Sequence, residues 1–467
     1  AQVGDQLTVS AREDGNSGAK YDLVLDVQDQ DKGMELRLSY RTDLFAGATI
    51  ERFLNQFVQV LTEALDHPDR ALADFAISPQ DDLERIQVWN DTGYENERDV
   101  GLARLFEAQA ARTPDAVAVV AGQDQITFRE LDARSNGVAH LLIENGAKQG
   151  GPIGVHLKPS VQMVIVLLGV LKAGAAYVPL DPYYPRERID AIIEDAGLDL
   201  IVTSQDLSER LGSVSPELLF VDDAGVVLEK PALNFTPDPM DLMYLMYTSG
   251  SAGTPKGVRV PHVGPSNFVL WMRDRFPLSA DDAVLMRTSI NFDISVWEMF
   301  LPLITGARLV VGLREELQAP ESLAALIQRQ NITHIQFVPS ALRGFVDSGV
   351  LPSCRSLRRI FSGGEALPTA LQHDVFAAYA GELHNLYGPT EASVYVCHWQ
   401  CRPNERLRAV PIGKPIHNTR VHILDEHMRP APIGLTGQVY LGGECVTLGY
   451  HRKPEQTAAA FVQDPFT

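Results

Sequence analysis

Cysteine is scarce: four residues, Cys354, Cys397, Cys401 and Cys445, in a chain of 467. That is too few for a disulfide framework. Cys397, His398 and Cys401 fall together, but the surrounding VYVCHWQC alternates as a strand does and brings no second ligand pair, so the ligand set of a structural zinc is missing. Long apolar runs are missing too. The longest nearly uninterrupted one, Met163 to Leu171, cannot span a bilayer, and the opening AQVGDQLTVS has no signal-peptide character. A soluble cytoplasmic protein with no membrane partner is expected. Cations also run short: 40 Lys and Arg against 60 Asp and Glu give a net charge of −20. That balance argues against nucleic acid as a partner, since affinity for a polyanion comes mainly from neutralising its phosphates.

What the chain does have is length and a globular balance, with 45% hydrophobic and 21% charged residues. At about 150 residues per domain it is expected to form several units. Within residues 1–77, KYDLVLDVQDQDKGMELRLSYRTDLF alternates apolar and polar residues in two segments around Asp29 to Gly33, which predicts a hairpin. Next, Ala48 to Leu65 places Ile50, Phe53, Leu54, Phe57, Val58, Leu61 and Leu65 on one helical face. Residues 78–100 are polar, with isolated apolar residues Ile86, Val88 and Trp89, and read as a linker docked by those anchors. From Gly101, helical and strand patterns alternate (LARLFEAQAAR, AVAVVAG, PIGVHL, VQMVIVLLGVLKAG, AAYVPLDP), which predicts parallel sheet covered by helices through residues 101–400. In LKAGAAYVPLDP, Gly174 suits a helix cap and Pro179 and Pro182 a fixed turn. Residues 401–467 turn to short strands with Pro and Gly turns and predict a small β subdomain.

One stretch carries chemistry more plainly than the rest. The apolar run Leu242 to Tyr247 ends in Thr248, Ser249, Gly250, Ser251, Ala252, Gly253, Thr254, Pro255, Lys256 and Gly257. A strand that feeds a loop of hydroxyls and glycines closed by a lysine can wrap phosphate: the loop supplies neutral donors, close backbone approach and one cation. It is not a Walker loop, because Pro255 precedes the lysine and Gly257 follows it. This string resembles the phosphate-binding loop of the adenylate-forming enzymes, a family that includes the adenylation domains of nonribosomal peptide synthetases, acyl-CoA synthetases and luciferases. The implied fold is α/β, a large core of two doubly wound subdomains and a small β subdomain, with the C-terminal lid subdomain absent.

Two further strings narrow the branch. Phe292-Asp293-Ile294-Ser295-Val296-Trp297-Glu298 resembles the amino-acid adenylation motif, in which the Asp pairs with the α-ammonium of the substrate. A lone Asp at a helix start is otherwise most often an N-cap. Asn385-Leu386-Tyr387-Gly388-Pro389-Thr390-Glu391 resembles the nucleotide motif. There the resemblance implies adenine against Tyr387 and Asn385, the α-phosphate near Thr390 and Mg²⁺ on Glu391, with Gly364 and Gly388 also at the ATP site beside Thr248, Ser249, Gly250, Ser251, Gly253, Thr254 and Lys256. Lys256, Thr390 and Glu391 are the implied catalytic residues. The N-terminal segment resembles the end of a condensation domain, without that family's paired histidines, and residues 78–100 resemble the linker between the two domains.

The resemblance therefore implies an amino-acid adenylation core of a nonribosomal peptide synthetase module. Its partners would be a peptidyl carrier protein bearing phosphopantetheine and an upstream condensation domain. An acyl-CoA synthetase-like ligase and a non-catalytic nucleotide-binding scaffold are the alternatives. The family's Thr-Gly-Asp motif and lysine-bearing subdomain are missing from the sequence, so the chain is expected to bind its ligands and to turn over poorly. Mapped onto this chain, the family's pocket is Asp293, Ile294, Trp297, Gln336, Phe361, Gly363, Leu386, Val394 and Tyr395. Gly363 is expected to leave depth and Gln336 and Tyr395 to offer neutral hydrogen bonds, which brings forward a neutral polar substrate, glutamine first and serine behind it.

Overall fold

A computed structural model describes residues 2–3, 7–8, 21–30, 33–71, 74–75, 77–212, 214–221, 230–233, 235–248, 255–405 and 407–466. The chain divides into two compact units, Ala1–Asp91 with Arg420–Tyr440 and Thr92–Thr419 with Leu441–Thr467. The pairing of 420–440 with the N-terminal segment is not given by chain order.

In the first unit the expected hairpin is present: Leu23–Gln30 runs antiparallel to Gly33–Tyr40, with Leu25 opposite Leu38 and Val27 opposite Leu36. The helix Gly47–Asp66 buries Ile50, Leu54 and Val58 against Leu36 and Leu38, a small core made by one helical stripe on one pleat face. The expected linker differs. Gln80–Trp89 is a helix, and Val88 and Trp89, expected as anchors, are 71% and 47% exposed. Docking onto 420–440 is polar instead. Ser78 Oγ donates to Pro430 O (2.7 Å), buried Asp82 accepts from Ile433 N (3.3 Å), and Asn90 exchanges bonds with Val421 N and O (2.7 and 3.0 Å). Backbone groups that no strand partner satisfies are paired there by side chains.

The second unit is built on two sheets. One has six strands in the order Glu217–Phe220, Leu200–Thr203, Pro152–His156, Ala176–Pro179, Leu242–Thr248 and Lys256–Pro261, parallel except for the last pair. The other has nine: Lys414–Pro415, Cys397–Gln400, Glu382–Tyr387, Arg359–Gly363, His334–Phe337, Ala283–Met286, Arg308–Val311, Val117–Ala121 and Asp124–Thr127, parallel in the centre and antiparallel at the edges. Helices cover the faces as the βα alternation requires. One apolar cluster joins Val119, Val155, Tyr244, Val284 and Phe361 from both sheets with Val166 of the helix Val161–Lys172. The helices Val161–Lys172 and Ser295–Thr305 are buried on nearly every residue, which explains their almost continuous apolar sequences. Of the short strands expected after residue 401, Lys414–Pro415 extends the nine-stranded sheet, while Thr419–Leu424 and Gln438–Gly443 pair as a two-stranded sheet. Among the described residues no helix is long and apolar enough to cross a membrane.

Candidate functional site

Strand register assembles one wall of the site. Gln336 lies opposite Phe361, and Gly363 opposite Leu386. With a side-chain period of two, these four residues share one face near the carboxyl ends of three parallel strands, where open α/β sheets bind ligands. The helix Ser295–Thr305 lies over that face and sets the Trp297 ring edge-on to Phe361, centroids 5.0 Å apart.

Asp293 and Ile294 occupy the turn before that helix. The N-cap is Ile294, with no side-chain cap bond, so the Asp293 carboxylate is not used in capping. It is 6% exposed, and its Oδ2 has no hydrogen-bond partner. Burial pushes its pKa up to about 6, against the opposing pull of the Thr390 hydroxyl and the Val394 and Ile294 N–H groups; the nearby Glu391 charge adds to the rise. A buried carboxylate oxygen without a donor is ready for a cationic partner.

The opposite wall comes from the return after Glu382–Tyr387. The chain turns at Gly388, forms a short 3-10 turn at Thr390–Ala392, and passes through Ser393 and Val394 at φ 53° and 77°. A β-branched residue in that region is strained. A Cβ on Gly388 would lie 2.6 Å from both Val394 O and Tyr395 Cα, so only glycine lets the return run this close. The turn delivers Val394 and Tyr395, each 1% exposed, beside Asp293. Gln336 Nε2 donates to the Tyr395 hydroxyl (3.1 Å) and to Phe337 O (3.0 Å), while Gln336 Oε1 is unpartnered. The expected depth at Gly363 is not there: a Cβ on it would stand 2.5 Å from the Tyr395 hydroxyl and 2.7 Å from Leu386 O. The phenol fills the space that glycine vacates.

On the nucleotide side, Thr248 and Lys256 are register partners at the end of the Leu242–Thr248 and Lys256–Pro261 hairpin. Ser249, Gly250, Ser251, Gly253 and Thr254 lie outside the described residues. Lys256 Nζ sits 4.4 Å over the Tyr450 ring, and the Tyr450 hydroxyl donates to Glu391 Oε1 at 2.7 Å. Burial and Glu391 both raise the Tyr450 pKa, so the phenol stays a donor. Tyr450 was not among the expected site residues. Its place is set by residues 448–451 bonding along Lys256–Pro261, with Leu448 N to Arg259 O (2.9 Å), Arg259 N to Gly449 O (3.0 Å) and His451 N to Gly257 O (2.7 Å). The Gly449-Tyr450 pair after a glycine-rich turn was the only sequence signal for it.

Asn385 and Tyr387 project to the face opposite Leu386, consistent with their register partners Ser362, Trp399 and Cys397. Asn385 Nδ2 donates to Pro411 O (2.9 Å), which leaves its buried Oδ1 as an unpartnered acceptor suited to an exocyclic amine such as that of adenine. Tyr387 is half-buried at the strand end, and Gly364, at φ 86°, is exposed just beyond the strand Arg359–Gly363. Glu391 is half-buried and keeps one oxygen clear of Tyr450, which fits a magnesium ion that takes one carboxylate together with substrate phosphates. Cys397 and Cys401 are buried thiols, and His398 is engaged with His384 at 3.0 Å.

A family model described as AMP-binding enzyme matches residues 106–451, and one described as condensation domain matches residues 2–86. Tyrocidine synthase 3 of Brevibacillus parabrevis is 38% identical over 463 residues, 99% of this chain and 7% of that protein. Phosphinothricin tripeptide synthetase PhsB of Streptomyces viridochromogenes is 39% identical over 474 residues, 98% of this chain and 39% of its own length. The solved structure of holo-AB3403, a four-domain nonribosomal peptide synthetase bound to AMP and glycine, matches with a TM-score of 0.86 at 31% identity, covering 96% of this chain and 33% of that one. The chain thus spans well under half the length of each of these relatives.

Proposed function

The chain belongs to the AMP-binding enzyme family, and from that premise we propose that it is the amino-acid-selecting adenylation core of a nonribosomal peptide synthetase module. Residues 101–400 would form its α/β subdomains and 401–467 its β subdomain, preceded by the condensation-domain end at 1–77 and a linker at 78–100. The supporting observation is Asp293: a buried carboxylate, not used as a helix cap, with one oxygen lacking a donor. A substrate α-ammonium there would pair with the carboxylate and favour its ionised form, and a fatty acid has no such group.

In the reaction, a substrate carboxylate oxygen attacks the α-phosphorus of ATP; the new O–P bond forms as the bond to the β-phosphate bridging oxygen breaks, giving aminoacyl-AMP and pyrophosphate. This chain's residues mainly position and neutralise. Asp293 fixes the ammonium end, Thr390 stands beside it at the α-phosphate, and Lys256 answers the phosphate charge. Asn385 and Tyr387 hold the base, with the loop Ser249–Thr254 on the phosphates. Mg²⁺ on Glu391 would supply further neutralisation of the phosphates. The acyl group would then pass to phosphopantetheine on a peptidyl carrier protein, in the cytoplasm. Apart from Asp293 the nine lining residues carry no charge, so the selected side chain is neutral; residue identities alone bring forward glutamine and serine, and the ring of Tyr395 over Gly363 favours the smaller.

Calorimetric titration with aminoacyl-sulfamoyladenosines, uncleavable mimics of the adenylate, tests the reading. Asp293→Asn should weaken every mimic by roughly 2–5 kcal/mol, the scale for stranding one partner of a buried charge pair, and leave ATP binding unchanged. Equal affinity of the variant for the mimics would remove the amino-acid assignment and leave a nucleotide-binding core.

A further inference from the structure

We infer that the Tyr395–Gln336 pair is a stop that limits the substrate to a side chain no larger than a hydroxymethyl group, the class of glycine, alanine and serine, and shuts out glutamine. The inference rests on the reading that Asp293 holds the α-ammonium. From that anchor the side chain of a bound amino acid has to point along the sheet face made by Gln336, Phe361, Gly363 and Leu386. That face is already filled. Trp297 and Phe361 are 0% exposed and packed edge to face, and Tyr395 and Gln336 are each 1% exposed.

The stop is held on every side. The Phe268 ring meets Tyr395 edge-on at 5.8 Å, Gln336 Nε2 binds its hydroxyl, and the missing Cβ of Gly363 is what gives the phenol its seat. The backbone beneath it cannot easily move, because Val394 is fixed at positive φ and the return passes so close to Gly388 that a Cβ there would meet Val394 O. Interiors this dense do not open by a carboxamide on two methylenes without expelling a side chain. Expelling Tyr395 or Gln336 would break the buried bond between them and strand its polar atoms. Gln336 Oε1 at the stop is an unpartnered acceptor, which a short hydroxyl can meet. Larger neutral side chains gain nothing there that repays the displacement.

The test is a ranking of glycyl-, alanyl-, seryl- and glutaminyl-sulfamoyladenosine by calorimetry on this chain and on Asp293→Asn. The short mimics should bind about tenfold or more tighter than the glutaminyl one, the scale of leaving a buried polar pair unmade, and all should weaken in the variant. Tyr395→Ala should raise glutaminyl affinity by at least the same factor. If the glutaminyl mimic binds as tightly as the glycyl one while Asp293→Asn still weakens both, the size limit is wrong and the amino-acid reading stands. If no mimic exceeds AMP and the variant changes nothing, the reading beneath it fails as well. A folded Tyr395→Ala without the gain would show that Tyr395 is not the stop; should that variant not fold, the ranking on the unaltered chain decides.

Discussion

Replacing Tyr450 by Phe removes a single oxygen from the nucleotide side of the site. The ring would stay under Lys256, where a cation over an aromatic face is worth about 0.5–1 kcal/mol. What disappears is the 2.7 Å bond to Glu391 Oε1. A hydrogen bond to a charged acceptor is worth about 1.5–3 kcal/mol, and because Glu391 is only half-buried, water replaces part of it, leaving about 1 kcal/mol, or roughly fivefold in affinity. The loss should fall on one ligand in particular. Tyr450 holds one Glu391 oxygen and leaves the other for the magnesium that the proposed function puts on this carboxylate. Titration of Tyr450→Phe with MgATP should therefore show weakening of about fivefold, whereas AMP without metal, which does not engage Glu391, should change less than about twofold. Tyr450→Leu, which removes the ring as well, should cost MgATP further. Wild-type MgATP affinity in Tyr450→Phe would refute the argument and leave Tyr450 as a packing residue between Lys256–Pro261 and Phe461.

The pH response offers two more tests. Because burial raises Asp293 to about 6, the ionised carboxylate that an ammonium needs is lost as pH falls through that value; aminoacyl-sulfamoyladenosine affinity should drop about tenfold from pH 7 to pH 5 while AMP affinity holds, and a flat profile would contradict the assignment. Acid stability should respond through the buried histidines. Burial holds His384 at about 4, and His334 and His398 at about 3, below the 6.5 of a free imidazole. Folded they stay neutral where the unfolded chain takes up protons, so their contribution is complete above about 6.5 and is lost as pH falls toward the folded values, at up to about 1.4 kcal/mol per pH unit for each. The urea midpoint should therefore fall steadily from pH 7 to pH 5, and an unchanged midpoint would mean that these rings are protonated in the fold, paired with Glu382 and Asp282.

Much of the fold was legible because it rests on local periodicity. The hairpin at 23–40, the helix Gly47–Asp66 and the βα alternation follow from patterns of two and of three to four residues that each segment carries by itself. Asp293 was legible as a motif, and the structure adds that the helix begins with Ile294 as its cap, which frees the carboxylate. The first unit's polar docking was not legible. Ser78 meets Pro430 through one bond and Asn90 meets Val421 through two, all to backbone groups more than three hundred residues away, and a polar residue in a polar stretch gives no sign of such a partner. Tyr450 was missed for the same reason: its hydroxyl matters only because residues 448–451 lie along Lys256–Pro261 and bring it to Glu391.

Pocket depth shows the limit most clearly. A glycine among pocket residues reads as open space only if nothing crosses it, and what crosses Gly363 is Tyr395, thirty-two positions later in the chain. Whether that ring points toward Gly363 or away from it is decided by the path between Gly388 and Val396: the close approach at Gly388, the positive φ at Ser393 and Val394, and the bond from Val396 N to Tyr387 O at 2.7 Å. Those three features fix the side of the strand on which residue 395 emerges, and a shift of one residue would reverse it. Residue identities at the nine positions therefore specify the chemistry of the walls, while the size of the chamber follows from a strained turn that composition and spacing do not record. The same glycine that would admit a long side chain beneath a small residue at 395 excludes it beneath tyrosine.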